Sequence, residues 1–273
     1  MKTMKKFLAL VIVGAICAAL AACNSAKQTT ADSSADEGNS ANETAATQDT
    51  PAANGKLVMA TNASFPPYEF YENEKIVGID AEIAELIAGK LGKELEIKDM
   101  EFGSIIGAVQ TGSVDIGMAG MSVTEERLVT VDFSDTYATA VQAIIVKDGS
   151  PITSVDDLAD KKVGVQENTT GDLYATDDLG EDHVKRYSKG NDAVAALSSG
   201  VVDAVIIDNE PAKSYVSVND GLKILETSYA DEEYAIAINK KNTELKDQIN
   251  QALKELKEDG SLDKIVEKYI PAE

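Results

Sequence analysis

Ile105-Ile106-Gly107-Ala108-Val109-Gln110-Thr111-Gly112-Ser113-Val114-Asp115-Ile116-Gly117 and Asp192-Ala193-Val194-Ala195-Ala196-Leu197-Ser198-Ser199-Gly200-Val201-Val202-Asp203-Ala204-Val205 follow one grammar. Each is a helix pattern stopped at Thr-Gly or Ser-Gly, then Val-Asp and the start of a strand. Glycine ends a helix readily because it enters the left-handed conformation at little cost. Around the first copy, residues 56–61, 94–97 and 115–118 read as strands, and residues 104–109 as a helix. Residues 79–91 read as an amphipathic helix with Ile79, Ile83, Leu86, Ile87 and Leu91 on one face. Around the second copy, residues 162–166, 184–187 and 203–207 read as strands, and 171–177 and 192–197 as helices. Strand and helix in alternation build a parallel sheet, so the chain is α/β with two similar lobes in succession. Two apolar extended segments, 142–146 and 234–238, lie between the lobe patterns and are candidate crossover strands. The last helices, 244–256 and 262–269, are broken at Asp259-Gly260, and their apolar faces have only the first lobe to cover. The predicted division is 55–143 with 235–273 as lobe one and 144–234 as lobe two.

The chain before residue 55 has another character. Met1-Lys2-Thr3-Met4-Lys5-Lys6 is basic, residues 7–20 are apolar, and Leu20-Ala21-Ala22-Cys23 sets small residues before a cleavage point. This reads as a secretory signal over residues 1–22, with an apolar run too short to persist as a spanning helix. Residues 24–54 contain no Leu, Ile, Val, Phe or Tyr and cannot bury enough apolar surface to offset their ordering entropy. Residues 23–54 are therefore expected to form a tether, with a root-mean-square span of roughly 30 Å. Cys17 leaves with the signal, so Cys23 is the only thiol of the exported chain and no internal disulfide is possible. About 220 residues remain, enough for two modest cores. The formal charge of -22 argues against nucleic acid and against adsorption to anionic lipid. No metal-ligand, Cys-His or Ser-His-Asp spacing occurs, and the one histidine, His183, sits in an acidic loop pattern, so no metal or cofactor is expected.

Five strings carry a resemblance in their order along the folded region. They are Ala60-Thr61-Asn62-Ala63-Ser64-Phe65-Pro66-Pro67-Tyr68-Glu69-Phe70, Gly78-Ile79-Asp80, Gly120-Met121-Ser122-Val123-Thr124-Glu125-Glu126-Arg127, Asp132-Phe133-Ser134-Asp135-Thr136-Tyr137 and Asp203-Ala204-Val205-Ile206-Ile207-Asp208. From about residue 56 to the C-terminus the chain resembles the bacterial extracellular solute-binding proteins of family 3, the polar amino-acid-binding components of ABC importers. Leu20-Ala21-Ala22-Cys23 resembles the bacterial lipoprotein box, whose cysteine receives diacylglycerol. The resemblance implies a two-lobed periplasmic-binding-protein fold of type II, with two crossover strands and a ligand cleft between the lobes. It implies a monomeric, extracytoplasmic lipoprotein, held to the membrane through Cys23, that captures a polar amino acid by hinge closure and delivers it to ABC permease and ATPase subunits. The same architecture also serves periplasmic dehydratases and feeders of signalling receptors, which stand as alternatives.

An amino acid brings a carboxylate and an ammonium close together, and a cleft that removes both from water must return charge-assisted bonds to each. Arg127 suits the carboxylate because its planar fork can grip two oxygens, with Ser122 and the N–H groups near Thr124 as further donors. The alternative for Arg127 is a surface ion pair with Asp132 or a neighbouring glutamate. Asp208 ends a continuous apolar strand, where ligand contacts of α/β sheets gather, and resembles the family's ammonium-binding aspartate. Its alternative is capping a helix over 209–215. By resemblance Gly120 also belongs to the site, and Phe65, Tyr68 and Phe102 supply an aromatic wall. Gln166, Thr169 and Thr170 form the second lobe's strand-to-helix turn, where a threonine also serves as a cap. Asn62 stands where many relatives carry aspartate, which withholds a charge, whereas Glu69, Glu167 and the acidic surface favour a cation. A cationic and a neutral polar ligand both fit this reading.

Overall fold

The computed structural model describes residues 55–226 and 228–271; the signal, Cys23 and the tether expected before residue 55 lie outside the described residues. The first lobe starts with β1 (Lys56–Thr61), followed by a small antiparallel sheet of β2 (Ser64–Phe65), β3 (Glu69–Glu72) and β4 (Lys75–Val77). It continues through α1 (Ile79–Lys90), β5 (Glu94–Asp99), α2 (Phe102–Thr111), β6 (Ile116–Gly117), α3 (Glu125–Thr130) and β7 (Asp132–Phe133). The second lobe holds β8 (Ala138–Lys147), β9 (Val163–Gln166), α4 (Thr170–Leu179), β10 (Val184–Tyr187), α5 (Gly190–Ser199), β11 (Ala204–Asp208), α6 (Asn209–Ser217), β12 (Leu222–Ile224) and β13 (Ala230–Tyr234). The chain then returns as β14 (Ala237–Ile238) and ends in α7 (Thr243–Glu258) and α8 (Ser261–Tyr269).

The first sheet has the order β5-β1-β6-β14-β7, with β1 parallel to β5 and β6, and β14 antiparallel to its neighbours. The second has the order β10-β9-β11-β8-β12, parallel across β10, β9 and β11, with β8 antiparallel and also paired to β13. This is the two-lobed type II arrangement expected from the sequence.

The repeated grammar has a repeated structural use. α2 stops at Gly112 and α5 at Gly200, with φ of 74° and 78°, and Ser113 N–H and Val201 N–H turn back to the carbonyls of Ala108 and Ala196. The aspartate that follows each stop then binds the strand next to it. Asp115 Oδ2 accepts from Val58 N–H of β1 at 2.8 Å, and Asp203 Oδ2 accepts from Lys162 N–H at the start of β9 at 2.9 Å.

The link between lobes sits earlier on the chain than the apolar pattern suggests. Gln142 to Val146, read as a crossover, runs inside the second sheet opposite β11. The paired ribbon that leads to the first lobe is Ala138 to Gln142 against Ala230 to Tyr234, and it continues through Tyr137 N–H to the Tyr234 carbonyl and Ala235 N–H to the Met121 carbonyl. Small residues at Ala138, Thr139 and Ala140 give this part of β8 little hydrophobic signal. On α1, Ile79, Ile83 and Ile87 are fully buried, but Leu86 is 38% exposed, and Ala84 and Ala88 complete the inner face instead. α7 and α8 cover α1 with Ile249, Leu253, Leu256, Leu262 and Ile265. Each large side chain so buried contributes about 1.5–3 kcal/mol, which outweighs the exposed pairs Lys90–Glu255 and Lys268–Glu82 at the same seam.

Candidate functional site

Three turns meet between the two sheets. The first follows β1 and carries Asn62 and Phe65. The second follows β6 and carries Ala119, Gly120 and Ser122. The third joins β9 to α4 and carries Gln166, Thr169 and Thr170. With Glu69, Phe102, Arg127 and Asp208 they line one narrow cavity. Gly120 is required there: its φ is 54°, and a Cβ would stand 2.8 Å from Phe65 Cε1.

Arg127 is placed by α3, whose cap Thr124 accepts the Arg127 backbone N–H at 3.2 Å. The side chain is 8% exposed and lies over the Phe102 ring, with Cζ 5.3 Å from the centroid. Nη1 donates to the Ser122 carbonyl at 2.7 Å, and Nη2 reaches across the cleft to the Asn168 carbonyl at 3.1 Å. A guanidinium has five N–H donors, so these two bonds leave three for a ligand. Burial draws its pKa down, while Glu232, Glu126 and Asp208 oppose the shift. The alternative partner Asp132 is engaged by Lys246 at 2.9 Å instead.

Asp208 ends β11 and is 7% exposed. It stands at the cap position of α6, yet its side chain makes no capping bond, so capping does not account for it. Oδ1 accepts from Tyr234 O–H. Burial first, and the neighbouring Glu232 charge second, push its pKa up to about 7. The acid is thus poised for a cationic partner.

Gln166 Nε2 donates across the cleft to Asn62 Oδ1 at 3.0 Å, while Asn62 Nδ2 donates to the Met100 carbonyl at 2.8 Å. Thr169 caps α4, accepting from Asp172 N–H at 3.3 Å, and Thr170 opens the helix with its N–H in the unbonded first turn. Phe65 and Phe102 form apolar wall. Of the eleven expected binding residues, only Tyr68 is absent from the lining. It packs behind the wall, edge-on to Tyr234 at 5.1 Å and 6.0 Å from Phe65.

Two carboxyls matter more than the sequence reading allowed. Glu69, grouped there with Glu167 as a favouring charge, lines the cavity at 1% exposure, and neither of its oxygens has a hydrogen-bond partner, whereas Glu167 is exposed. Glu232 was not singled out at all. It is 7% exposed and accepts from Ser122 Oγ and from Gln142 Nε2, each at 3.0 Å. Its position two residues before Tyr234 on β13 was the available signal, since alternate strand residues share a face. Because Ser122 gives its hydroxyl proton to Glu232, its oxygen is left as an acceptor. The hydroxyl expected to donate to a ligand is therefore engaged with Glu232, and its free lone pair can accept from a donor in the cavity. Among the described residues no group of acidic, His or Cys side chains is arranged to hold a metal, and no helix is long and apolar enough to cross a membrane.

Comparison with known proteins gives a consistent answer. The model of the bacterial extracellular solute-binding proteins, family 3, matches residues 57–272. The arginine-binding extracellular protein ArtP of Bacillus subtilis is 35% identical over 99% of this chain and 100% of its own length. Among solved structures, an ancestral arginine-binding protein bound to arginine is 46% identical, with a TM-score of 0.75 over 79% of this chain and 98% of the other. The same kind of protein bound to glutamine is 44% identical, with a TM-score of 0.76 over 80% and 99%.

Proposed function

The chain belongs to the bacterial extracellular solute-binding proteins, family 3, and we propose that it captures a polar amino acid between its lobes and hands it to an ABC importer. Like its relatives it is a solute-binding protein rather than an enzyme. The observation that carries the proposal is that buried Arg127 on α3 of the first lobe and buried Asp208 at the end of β11 of the second face one cavity, both with bonding capacity to spare. The three free guanidinium N–H groups and the first-turn N–H of Thr170 receive the ligand carboxylate. Asp208 and the acceptor oxygen of Ser122 receive the ammonium. The side chain then runs along Phe65 and Phe102 toward Asn62, Gln166 and Glu69. A guanidinium or ammonium there meets the unpartnered Glu69 carboxyl, in keeping with relatives described as arginine-binding.

A ligand so held touches both lobes and favours the closed arrangement by its differential affinity for it. Bonds that already cross the cleft include Gln166 to Asn62, Arg127 to the Asn168 carbonyl, and Tyr215 O–H to the Ser64 carbonyl. The lobes, divided in the sequence as 55–143 with 235–273 and 144–234, move about the ribbon of Ala138 to Gln142 against Ala230 to Tyr234, which puts the start of the second lobe at β8. Export on the 1–22 signal, lipidation of Cys23 and a tether over 23–54 hold this monomer at the outer membrane face of the cell, where permease and ATPase subunits receive the load. Cys23→Ala tests the anchor: it releases the protein to the medium or periplasm, and retention at the membrane refutes it.

The binding proposal is tested on protein stripped of ligand by unfolding and refolding. Thermal shifts are measured against the amino acids, with calorimetry on those that stabilise. Selective stabilisation by a few polar amino acids, lost in Arg127→Ala and in Asp208→Ala, is expected. Stabilisation by none, or equal stabilisation of both variants, refutes the reading.

A further inference from the structure

Glu69 and Asp80 form a pair of carboxyls between the cavity and α1. Asp80 is fully buried in the first turn of α1, and its Oδ2 accepts from Gly120 N–H and from Tyr137 O–H, both at 2.9 Å. Its Oδ1 has no partner, and neither oxygen of Glu69 has one. The backbone sets the two residues side by side, since Asp80 N–H donates to the carbonyl of Tyr68, the residue before Glu69, at 2.9 Å, and the Asp80 charge acts on Glu69. If both were ionised, three buried acceptor oxygens would face one another with nothing to donate. One proton resolves this, and it belongs on Glu69, because Asp80 already has two donors stabilising its charge and Glu69 has none.

We propose that Glu69 sets the charge of the accepted side chain through a removable proton, keeping it, directed toward Asp80, when the site is empty or holds a neutral amide, and releasing it when a guanidinium or ammonium arrives. The inference rests on the amino-acid reading of the cavity. The charged groups that act on Glu69 are Asp80, Asp208 and Asp99, all acidic, and burial together with Asp80 holds its pKa well above the usual carboxyl range. Around it stand the phenols of Tyr68, Tyr137 and Tyr215, which stay neutral. Arg127, the cavity's own cation, is committed to the Ser122 and Asn168 carbonyls, and the carboxylates acting on it are Glu232, Glu126 and Asp208. Among the described residues no cation relieves Glu69, and a ligand cation does. The balance is one proton to solvent for each cationic side chain bound, so that the buried charge stays constant. With a neutral amide, the Glu69 O–H stays in place, its carbonyl oxygen accepts the amide N–H, and no proton leaves.

Asp208 also titrates, so the test compares two ligands that load it identically. L-arginine and L-glutamine are titrated into stripped protein near pH 6 in buffers of different ionisation enthalpy, which gives protons released per ligand bound. Arginine is expected to release about one proton more than glutamine, and its affinity relative to glutamine to rise about tenfold per pH unit until Glu69 ionises unaided. Glu69→Gln removes the difference in proton release and weakens arginine far more than glutamine. Asp80→Asn, which removes the charge that retains the proton, moves the pH midpoint of the difference toward acid. Equal proton release by both ligands in the native protein overturns the proposal while leaving the amino-acid site intact, as does a Glu69→Gln variant that loses both ligands alike. Binding of neither ligand overturns the amino-acid reading and this inference with it.

Discussion

Replacing Arg127 by lysine keeps the positive charge and removes the fork. In the native site one guanidinium performs several tasks: Nη1 to the Ser122 carbonyl at 2.7 Å, Nη2 to the Asn168 carbonyl at 3.1 Å, a flat face 5.3 Å from the Phe102 centroid, and N–H groups left for the ligand. A lysine ammonium is a point with three donors and no flat face, so it can hold one carbonyl and the ligand but cannot also span the cleft to Asn168. The variant therefore loses at least one bond to the ligand carboxylate and one across the cleft. With bonds to charged groups contributing about 1.5–3 kcal/mol each, and some recovery by the ammonium, the expected loss is about 2–4 kcal/mol, or roughly 30- to 1,000-fold in affinity. Calorimetry with stripped protein measures it, and ligand-free thermal unfolding, expected to change little, separates binding from folding. Affinity within about threefold of native in Arg127→Lys would refute the view that the fork itself carries the recognition.

Gly120→Ala forces a left-handed alanine against Phe65 and is expected to cost about 1–3 kcal/mol of stability and to weaken ligand binding, read by urea unfolding and calorimetry; a variant as stable as native contradicts the local geometry. Tyr215→Phe removes a bond between lobes without touching the cavity lining, so ligand affinity falls by about 1 kcal/mol, roughly fivefold, while scattering of the ligand-free protein shifts toward an open form; unchanged affinity and scattering contradict a closing role. Ligand-free stability depends on pH with a definite sign. Burial raises Asp208 to about 7 and Asp80 to about 6, so from about pH 4 upward the folded protein keeps protons that the unfolded chain gives up. Stability is then full below the ordinary carboxyl range and falls as pH rises toward 7, by up to about 1.4 kcal/mol per pH unit for each such proton. Urea midpoints at acid and neutral pH check this, and Asp208→Asn is expected to flatten the slope; stability that rises over the same range contradicts it.

The sequence speaks most clearly where chemistry is local. A glycine that must turn left-handed, an aspartate three residues past it and an apolar run that follows are close together on the chain, and both copies fold as read. Arg127 and Asp208 are legible for another reason: each is a charge set beside a helix start or a strand end, where ligands gather. Tyr68 and Glu69 follow one another, yet only the second reaches the cavity. The turn closed by Tyr68 N–H to the Phe65 carbonyl decides it, sending Tyr68 behind Phe65 and against Tyr234. Glu69 is then buried by α1 and by the turn after β6, parts of the chain far from it in sequence, and no periodicity in β3 announces this. Glu232 lies in Asp231-Glu232-Glu233, which looks like a solvated acidic run. Only its alternation with Tyr234 places it inward, beneath Ser122, where it reverses the polarity of that hydroxyl.

Charge balance ties these residues to closure. Asp208, Glu232, Glu69 and Asp80 are all buried around a cleft whose lining supplies one cation, Arg127. An amino acid's carboxylate and ammonium cancel, so the α-groups of any ligand leave that imbalance as they find it. Removing the cleft from water makes each uncompensated charge costlier, because an ion taken into a low dielectric must be paired or neutralised. Closure therefore selects for whatever settles the balance: protons held on Glu69 and Asp208, or positive charge brought by the ligand. The ammonium meets the demand of Asp208 and a basic side chain meets that of Glu69. A ligand supplying both closes the lobes on a site with fewer stranded charges than one supplying the ammonium alone.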